Sequence, residues 1–318
     1  MILIPKFMLA AWLLAFSQCQ PAPKVSPNKI AQTQADTAKI KVENARYSYD
    51  LAQPNFCTSL PEALVEISAM AYISDEIMAG VQDENGFIFV FNPKTGEISD
   101  SIIFEPTGDF EGLSIVGTTA WVLEAKGDLW EISDWQDEKL RKISRHKTEL
   151  KKDNDSEGLC YDEKNGRLLI ACKESPFIDD YRKDLRAVYA LELKTKSLNT
   201  KPILSFDISL IIKYLSQNIN AVVHSDVAKK LEKGKNMPFM PSEIALHPQT
   251  HEIYILASAG MGLLVFSATG ELRQLYQLDP NIFEQPEGLT FAPNGDMYIS
   301  SEGRSGAAKI CFFKAITN

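Results

Sequence analysis

Short apolar runs recur along most of the chain, and clusters of turn residues separate them. In one unit, EISAMAY from Glu66 precedes IMAGV from Ile77 and FIFVF from Phe87, and EISDSIIF follows the turn signal NPKTG. Apolar runs of this length, bounded by Gly, Pro, Asn and Asp, are typical of β-strands. The pattern therefore predicts units of four short strands each.

A glutamate followed by a small or apolar pair begins five such units. The five residues are Glu66, Glu111, Glu157, Glu243 and Glu287, with spacings of 45, 46, 86 and 44 residues. Four strands in about 45 residues are typical of a propeller blade, which buries its two faces only against neighbouring blades. We therefore expect an all-β chain that folds as a single β-propeller.

The last unit is one strand short. After Glu287 the chain runs for only 31 more residues, which is room for three strands. The run RYSYDL, from Arg46 to Leu51, precedes the first unit and is predicted to pair with KICFF from Lys309. This N-terminal strand would close the ring and remove the exposed edges of an open array.

The number of blades depends on the interval of 86 residues, because it is twice 43 and leaves room for a sixth repeat. After PILSFDI, which ends at Ile208, the segment SLIIKYLSQNINAVVHSDVAKKLEKGKN has apolar residues at helical spacing. We predict five blades with a helical insertion over residues 209–237. Six blades are the alternative.

The N-terminus carries an export signal. Lys6 precedes an apolar run from Phe7 to Phe16, which suits a signal peptide and is shorter than the roughly 20 residues that span a bilayer. We predict a signal peptide over 1–18, and Cys19 stands in a context that resembles a bacterial lipoprotein cleavage site. Lipidation of Cys19 would make the Pro- and Gln-rich residues 19–44 a membrane tether for a propeller domain over 45–318. A signal cut nearby, with Cys19 incidental, is the alternative.

The charge balance narrows the choice of partners. The chain has 33 basic and 42 acidic residues, so its net charge of -9 repels a nucleic acid backbone. We therefore expect no nucleic acid partner. The expected partners are a membrane, through the lipid anchor on its periplasmic side, and an unidentified small molecule or protein at the loop face of a monomer.

The remaining cysteines form no CxxC pair, so neither a zinc site nor a thioredoxin-type motif is supported. They are Cys57, Cys160, Cys172 and Cys311. Cys160 and Cys172 fall on adjacent predicted strands, and Cys57 and Cys311 near the two chain ends. Buried free thiols are the preferred interpretation, although the pattern leaves a bridge in either pair open.

The order of these segments resembles a known family. EISAMAY, GDFEGL, DNDSEGLCYD with LLIACKES, and QPEGLTFAPNGDMYISSE together resemble the SdiA-regulated (YjiK-like) family of exported bacterial β-propeller proteins. The resemblance extends from Tyr47 to Phe313. It implies a propeller fold and a location in the cell envelope, and it implies no specific activity.

The five repeated glutamates are the main candidates for chemistry, because the innermost strands should place them around one mouth of the central channel. So many like charges cannot all stay ionised without compensation. One prediction is a central Ca²⁺ held by these carboxylates, since Ca²⁺ takes six to eight oxygen ligands. The other, which we favour, is that each glutamate accepts hydrogen bonds from backbone N–H groups of the neighbouring blade and so links adjacent blades. We call this the stitching interpretation.

The other polar candidates are weaker. Residues at the ends of the second strands are interpreted as solvated loop residues: Asp83, Glu84, Glu124, Lys173, Glu174, Ser301, Glu302 and, nearby, Arg304. The histidines share no metal-binding spacing, and no GxSxG elbow marks a nucleophile. The sequence favours a binding or scaffold module, and the alternative is a Ca²⁺-dependent, phosphoesterase-like hydrolase that uses the carboxylate ring.

Overall fold

The computed structural model describes residues 46–178, 182, 184–217 and 239–317. The chain divides into two units, Met1–Gln34 and Ala35–Asn318, and only the second contains described residues. The predicted signal peptide, Cys19 and the linker over 19–44 lie outside them, so these predictions stay open. The same holds for residues 218–237 of the predicted insertion.

The described strands form five larger sheets and one two-stranded sheet. Before the first blade come β1 (Tyr47–Ser48), β2 (Phe56–Ser59) and a 3-10 turn (Glu62–Leu64). Blade 1 contains β3 (Ile67–Ser74), β4 (Ile77–Gln82), β5 (Gly86–Phe91) and β6 (Ile98–Glu105). Blade 2 contains β7 (Phe110–Val116), β8 (Thr119–Glu124), β9 (Leu129–Ser133) and β10 (Lys142–His146), and a 3-10 turn (Lys152–Asn154) follows it.

The second half of the chain repeats this order. Blade 3 contains β11 (Ser156–Asp162), β12 (Arg167–Cys172) and β13 (Leu185–Glu192), and both β14 (Ser197–Leu198) and β15 (Leu204–Asp207) pair with β13. The helix α1 (Ile208–Gln217) follows. Blade 4 contains β16 (Met240–Leu246), β17 (Ile253–Ala259), β18 (Gly262–Phe266) and β19 (Leu272–Gln277). Blade 5 contains β20 (Gln285–Phe291), β21 (Met297–Glu302) and β22 (Lys309–Phe313), and β23 (Ile316–Thr317) ends the described chain.

The first strands of the blades form the centre of the propeller. β3, β7, β11, β16 and β20 contact one another in a closed cycle. Five hydrophobic clusters lie between the blades, one for each pair of neighbours. A second strand such as β4 is buried along nearly its whole length, because neighbouring blades cover both of its faces. The prediction of a single all-β propeller is confirmed.

The described part of the long interval in the repeat contains no further blade. β11 of blade 3 directly contacts β16 of blade 4, so no strand set can lie between them at the channel. Five blades are therefore confirmed over six. The helix α1 begins where the insertion was predicted, and within the described residues no helix is long and apolar enough to cross a membrane.

The ring closes between the two chain ends as predicted, but with a different strand. β2 pairs with β22, with Phe56 opposite Phe312 and Ser59 opposite Lys309. The predicted run RYSYDL instead contributes β1, which pairs with β23. The prediction of the pairing strand was wrong because Tyr47 is buried between blades 4 and 5, where its ring stacks on His247. The half-exposed pattern of β2 suits an outer strand better.

A disulfide fastens this closure. Cys57 of β2 lies opposite Cys311 of β22, with 4.1 Å between their Cα atoms, and the two are bonded. The free-thiol interpretation was therefore wrong for this pair, since the register of the closing strand brings the two positions together. Cys160 and Cys172 are free and lie on the adjacent strands β11 and β12, as predicted.

Candidate functional site

The repeated glutamates lie where the first strand of each blade begins. Glu111 in β7, Glu157 in β11 and Glu287 in β20 fall at β-bulges in the pairing with the second strand. A bulge interrupts the regular alternation of side chains and re-aims the residue within it. The bulges thus direct these side chains differently from the regular alternation of the strand, which would point them into the packed interfaces between the blades.

The glycine of the EGL motif has a steric role. A Cβ on Gly112 would lie 2.7 Å from the Cβ of Leu159 in the next blade. A Cβ on Gly158 would lie 2.6 Å from the backbone nitrogen of Ile244, also in the next blade. Adjacent first strands therefore approach closely only because this position lacks a side chain.

The fold brings four of the five predicted ring residues into mutual electrostatic contact. Glu111 interacts with Glu157 and Glu287, and Glu243 interacts with the same two residues. Glu66 is exposed and interacts instead with Asp83 and Glu302. The ring is thus a group of four carboxylates, of which three are buried and Glu111 is half-buried, with a fifth at its rim.

Further charged residues complete this end of the channel. Asp109 and Asp155 interact with Glu111 and Glu157, and Lys173 forms an ion pair with Glu157. We call the whole set the acidic mouth; its members are Glu66, Asp83, Asp109, Glu111, Asp155, Glu157, Lys173, Glu243, Glu287 and Glu302. Asp109 and Asp155 were not among the residues predicted from the sequence. Their spacing two residues before the repeated glutamate, in GDFEGL and NDSEGL, was the available signal.

The buried glutamates of the acidic mouth are held by different partners. Glu243 accepts hydrogen bonds on Oε1 from the backbone N–H groups of Leu159 and Ile244, both at 2.9 Å. Because Leu159 belongs to blade 3, Glu243 joins blades 3 and 4 as the stitching interpretation predicts. Glu157 instead accepts a hydrogen bond from Lys173 Nζ at 2.6 Å.

Glu111 and Glu287 are affected by other polar side chains of this end. Burial, the charge of Glu157 and the neighbouring Asp109 raise the pKa of Glu111 to about 10, whereas Gln285 partly opposes the rise in the pKa of Glu287. The stitching interpretation therefore describes Glu243, while Glu111, Glu157 and Glu287 are held within the acidic mouth.

Burial and mutual repulsion raise the pKa values of these carboxyl groups. Burial and the charge of Glu157 raise the pKa of Glu287 to about 8, and burial and Asp83 raise the pKa of Glu302 to about 7. Burial also raises the pKa of Glu243 well above its usual range, although its two N–H donors oppose the shift. At neutral pH the acidic mouth therefore holds protons that an exposed cluster would have lost.

Three buried oxygen atoms at this end of the channel have no hydrogen-bond partner in the part of the chain that the structure describes. They are Glu243 Oε2, Gln285 Oε1 and Asp83 Oδ1. Only 1% of the surface of Glu243 is exposed, so water does not satisfy its free oxygen in the way it satisfies a surface group. Unpaired buried acceptors cost free energy, which a hydrogen-bond donor from a ligand would recover.

The residues that end the second strands differ in their burial and in their partners. Asp83, Lys173 and Glu302 are half-buried members of the acidic mouth, and Ser301 is buried, so the interpretation as solvated loop residues was wrong for all four. Glu124 is buried and pairs with Arg145 of β10 at 2.5 Å, on the outer side of its blade. Glu84 and Arg304 are exposed, as expected for loop residues.

Comparison with known proteins identifies the family. The model of the SdiA-regulated family matches residues 43–305. The chain belongs to the SdiA-regulated family. The resemblance of the repeated segments is therefore confirmed over residues 43–305. No curated protein matches the sequence of this family member.

Two solved structures are compared with this SdiA-regulated propeller by TM-score, identity and coverage. The crystal structure of Myxococcus xanthus glutaminyl cyclase has a TM-score of 0.52 at 13% identity, over 87% of this chain and 100% of that one. A streptogramin B lyase structure has a TM-score of 0.42 at 12% identity, over 86% of this chain and 74% of that one. At 13% identity the likeness to the glutaminyl cyclase structure shows the propeller fold alone.

The acidic mouth of the SdiA-regulated propeller is not a preformed metal site. Within the described ranges, no three His, Cys, Asp or Glu side chains are placed to hold a metal ion. Lys173 and two backbone N–H groups already engage Glu157 and Glu243. The central Ca²⁺ stays a prediction.

The opposite end of the channel has a different character. A cavity of about 170 Å³ lies between the far ends of the five first strands. Tyr72, Tyr161 and Phe291 line it, together with aliphatic residues and without any acidic side chain. The SdiA-regulated propeller therefore has one charged and one neutral channel mouth.

Proposed function

We propose that this SdiA-regulated propeller is a lipid-anchored binding module of the cell envelope, whose acidic mouth takes a positively charged group of a ligand or partner. One observation carries the proposal: buried, mutually repelling carboxyl groups lie beside buried oxygens that have no hydrogen-bond partner among the described residues. A cation at this position would remove both energetic costs.

The charge balance of the acidic mouth supports a cationic ligand. Nine of its ten members are acidic, and its one cation, Lys173, is paired with Glu157 at 2.6 Å. A bound cation would favour the ionised form of the glutamates and lower their pKa values. Binding at neutral pH would therefore release protons, which distinguishes it from weak attraction to an acidic surface.

The envelope location rests on two independent features. Disulfides persist mainly in oxidising compartments, and Cys57 and Cys311 form one across the ring closure. The predicted signal peptide and Cys19 belong to the same interpretation. Together they support export and attachment to a membrane on its periplasmic side.

A hydrolase is the second candidate. Glu287 and Glu302 have pKa values near neutrality, which is the range suited to general acids and bases. The described acidic mouth lacks a preformed Ca²⁺ ligand set, however, so the predicted Ca²⁺-dependent, phosphoesterase-like mechanism has less support than binding.

The test is a titration of the full-length protein in detergent with CaCl₂ and, separately, with spermidine, each against KCl of equal ionic strength. We expect at least one of these cations to raise the Tm and to release protons, with about 2.7 kcal/mol of stabilisation at a hundredfold excess over Kd. The double substitution Glu157→Gln and Glu287→Gln should abolish the response.

A matched control keeps the number of lost charges constant. Glu97 and Glu138 are both exposed and lie outside the acidic mouth, so Glu97→Gln with Glu138→Gln should respond like the wild type. The proposal is wrong if neither cation changes the Tm, or if both double variants lose the response equally.

A further inference from the structure

We infer that a second binding site lies between blades 3 and 4 and takes a small carboxylate with an apolar body. A cavity of about 230 Å³ lies there. The turns that follow β11 and β16 contribute to it, so it lies on the face opposite the acidic mouth, where the first strands end. No member of the acidic mouth lines this cavity, and the inference goes beyond the proposed function.

The floor of the cavity is aliphatic. Leu169 of β12, Leu204 of β15 and Ile253 of β17 belong to the buried cluster between the two blades. Ile203 and Leu246 are half-buried and pack against the same cluster. All five residues line the cavity. A hydrocarbon body placed here would remove its own apolar surface from water, which favours binding.

The rim of the cavity carries basic side chains. Lys164 and Arg167, from the β11–β12 hairpin, and His251, from the turn before β17, line it. The side chains of Lys164 and His251 are exposed and form no ion pair or hydrogen bond with the described residues. In a chain with a net charge of -9, such a rim favours an anionic ligand at this place.

Asp162 is the one acidic residue that lines the cavity, and its carboxylate is already engaged. Its Oδ2 accepts hydrogen bonds from Arg167 Nε at 2.8 Å and from Asn165 Nδ2 at 2.7 Å. Its Oδ1 accepts a further bond of 3.3 Å from the backbone N–H of Asn165. The Asp162–Arg167 pair is neutral as a whole, so Lys164 supplies the net positive charge of the rim.

Arg167 supplies the directed hydrogen bonds. A guanidinium has five N–H donors in a planar fork, and only the Nε donor is used by Asp162. No described residue accepts a hydrogen bond from the two terminal nitrogens, although only 23% of the side chain is exposed. A carboxylate matches such a fork with two parallel hydrogen bonds. Because Asp162 already orients the guanidinium, little side-chain freedom is lost on binding.

The floor and the rim together define the ligand class. Inorganic phosphate would satisfy the rim and leave the aliphatic floor uncovered. A neutral hydrocarbon would cover the floor and leave the donors of Arg167 without an acceptor. The volume is below the roughly 300 Å³ at which pockets for drug-sized ligands begin. The ligand is therefore a short aliphatic carboxylate.

The experiment is a calorimetric titration of the full-length protein in a non-ionic detergent, matched in cell and syringe, with acetate, butanoate, hexanoate and 1-hexanol. We expect hexanoate to bind at a single site. Each added methylene should strengthen binding about fourfold, because it buries apolar surface on the floor. The neutral 1-hexanol should bind about tenfold more weakly than hexanoate, since it lacks the charge-assisted hydrogen bonds.

Three variants locate the site. Lys164→Gln removes an exposed charge and should weaken the binding of hexanoate by up to about fivefold. Arg167→Lys keeps a positive charge beside Asp162 but removes the fork, and should weaken binding about tenfold. Lys139 is exposed and lies in blade 2, so Lys139→Gln is the matched control and should bind like the wild type.

The outcomes separate this inference from the proposed function. Equal affinity for acetate and hexanoate, or for 1-hexanol and hexanoate, would overturn the inference, and these comparisons use only the wild type. Unchanged affinity in both Lys164→Gln and Arg167→Lys would also overturn it, because hexanoate would then bind elsewhere. Absence of hexanoate binding leaves the cation module standing, and absence of a response to CaCl₂ and spermidine leaves the carboxylate site standing.

Discussion

The disulfide between Cys57 and Cys311 should dominate the stability of the closed ring. It joins residues 254 positions apart, so it closes almost the whole propeller into one covalent loop. The substitution Cys57→Ser tests this, because Cys57 is exposed while the buried sulfur of Cys311 stays in place. The mutation removes the bond without creating a cavity in the core.

The expected magnitude follows from the loop length. Loss of loop-closure entropy in the unfolded chain corresponds to about 5 kcal/mol for a loop of this size. For a domain of this length, such a change in the free energy of unfolding lowers the Tm by roughly 10 °C. The remaining contacts of β2, such as the stacking of Phe56 on Phe312 at 5.0 Å, are short-range and do not replace the covalent link.

Calorimetry with and without reductant gives the measurement. We expect the Tm of the oxidised wild type to be well above that of the reduced wild type. The Tm of Cys57→Ser should equal that of the reduced wild type and should not change when reductant is added. The free cysteines Cys160 and Cys172 provide an internal control, since they are present in every sample. If Cys57→Ser unfolds within about 1 kcal/mol of the oxidised wild type, the loop-entropy argument is wrong.

Two further predictions concern the anchor and the acidic mouth. Cys19→Ala should move the protein from the membrane fraction to the soluble fraction after cell lysis, and unchanged partition would contradict lipidation. The second prediction uses the raised pKa of Glu287, which is about 8 in the folded protein and about 4.5 in the unfolded chain. Between these two values the folded protein keeps a proton that the unfolded chain has lost. The free energy of unfolding should therefore fall as the pH rises toward about 8. Glu287→Gln should flatten this fall in Tm between pH 5 and pH 8, whereas parallel wild-type and variant curves would show that the carboxyl group is ionised throughout.

The propeller fold was accessible from the sequence because its blades are built from local pairings. Each strand pairs mainly with its neighbour in the chain, so a repeat of about 45 residues with a glutamate at its start is enough to predict the blade. The EGL motif also predicted that the glutamates begin the innermost strands. The blade count depended on whether the long interval hid a repeat, and its helical spacing already argued against one.

Only the tertiary structure decided which residues meet at the channel and at the ring closure. The sequence placed Glu66 and Glu243 at equivalent repeat positions, yet one is exposed and the other is buried. The choice of β2 as the closing strand, and with it the disulfide, depends on contacts between residues more than 250 positions apart. Such contacts are set by how five similar blades close into one ring, and a local pattern carries no information about that register.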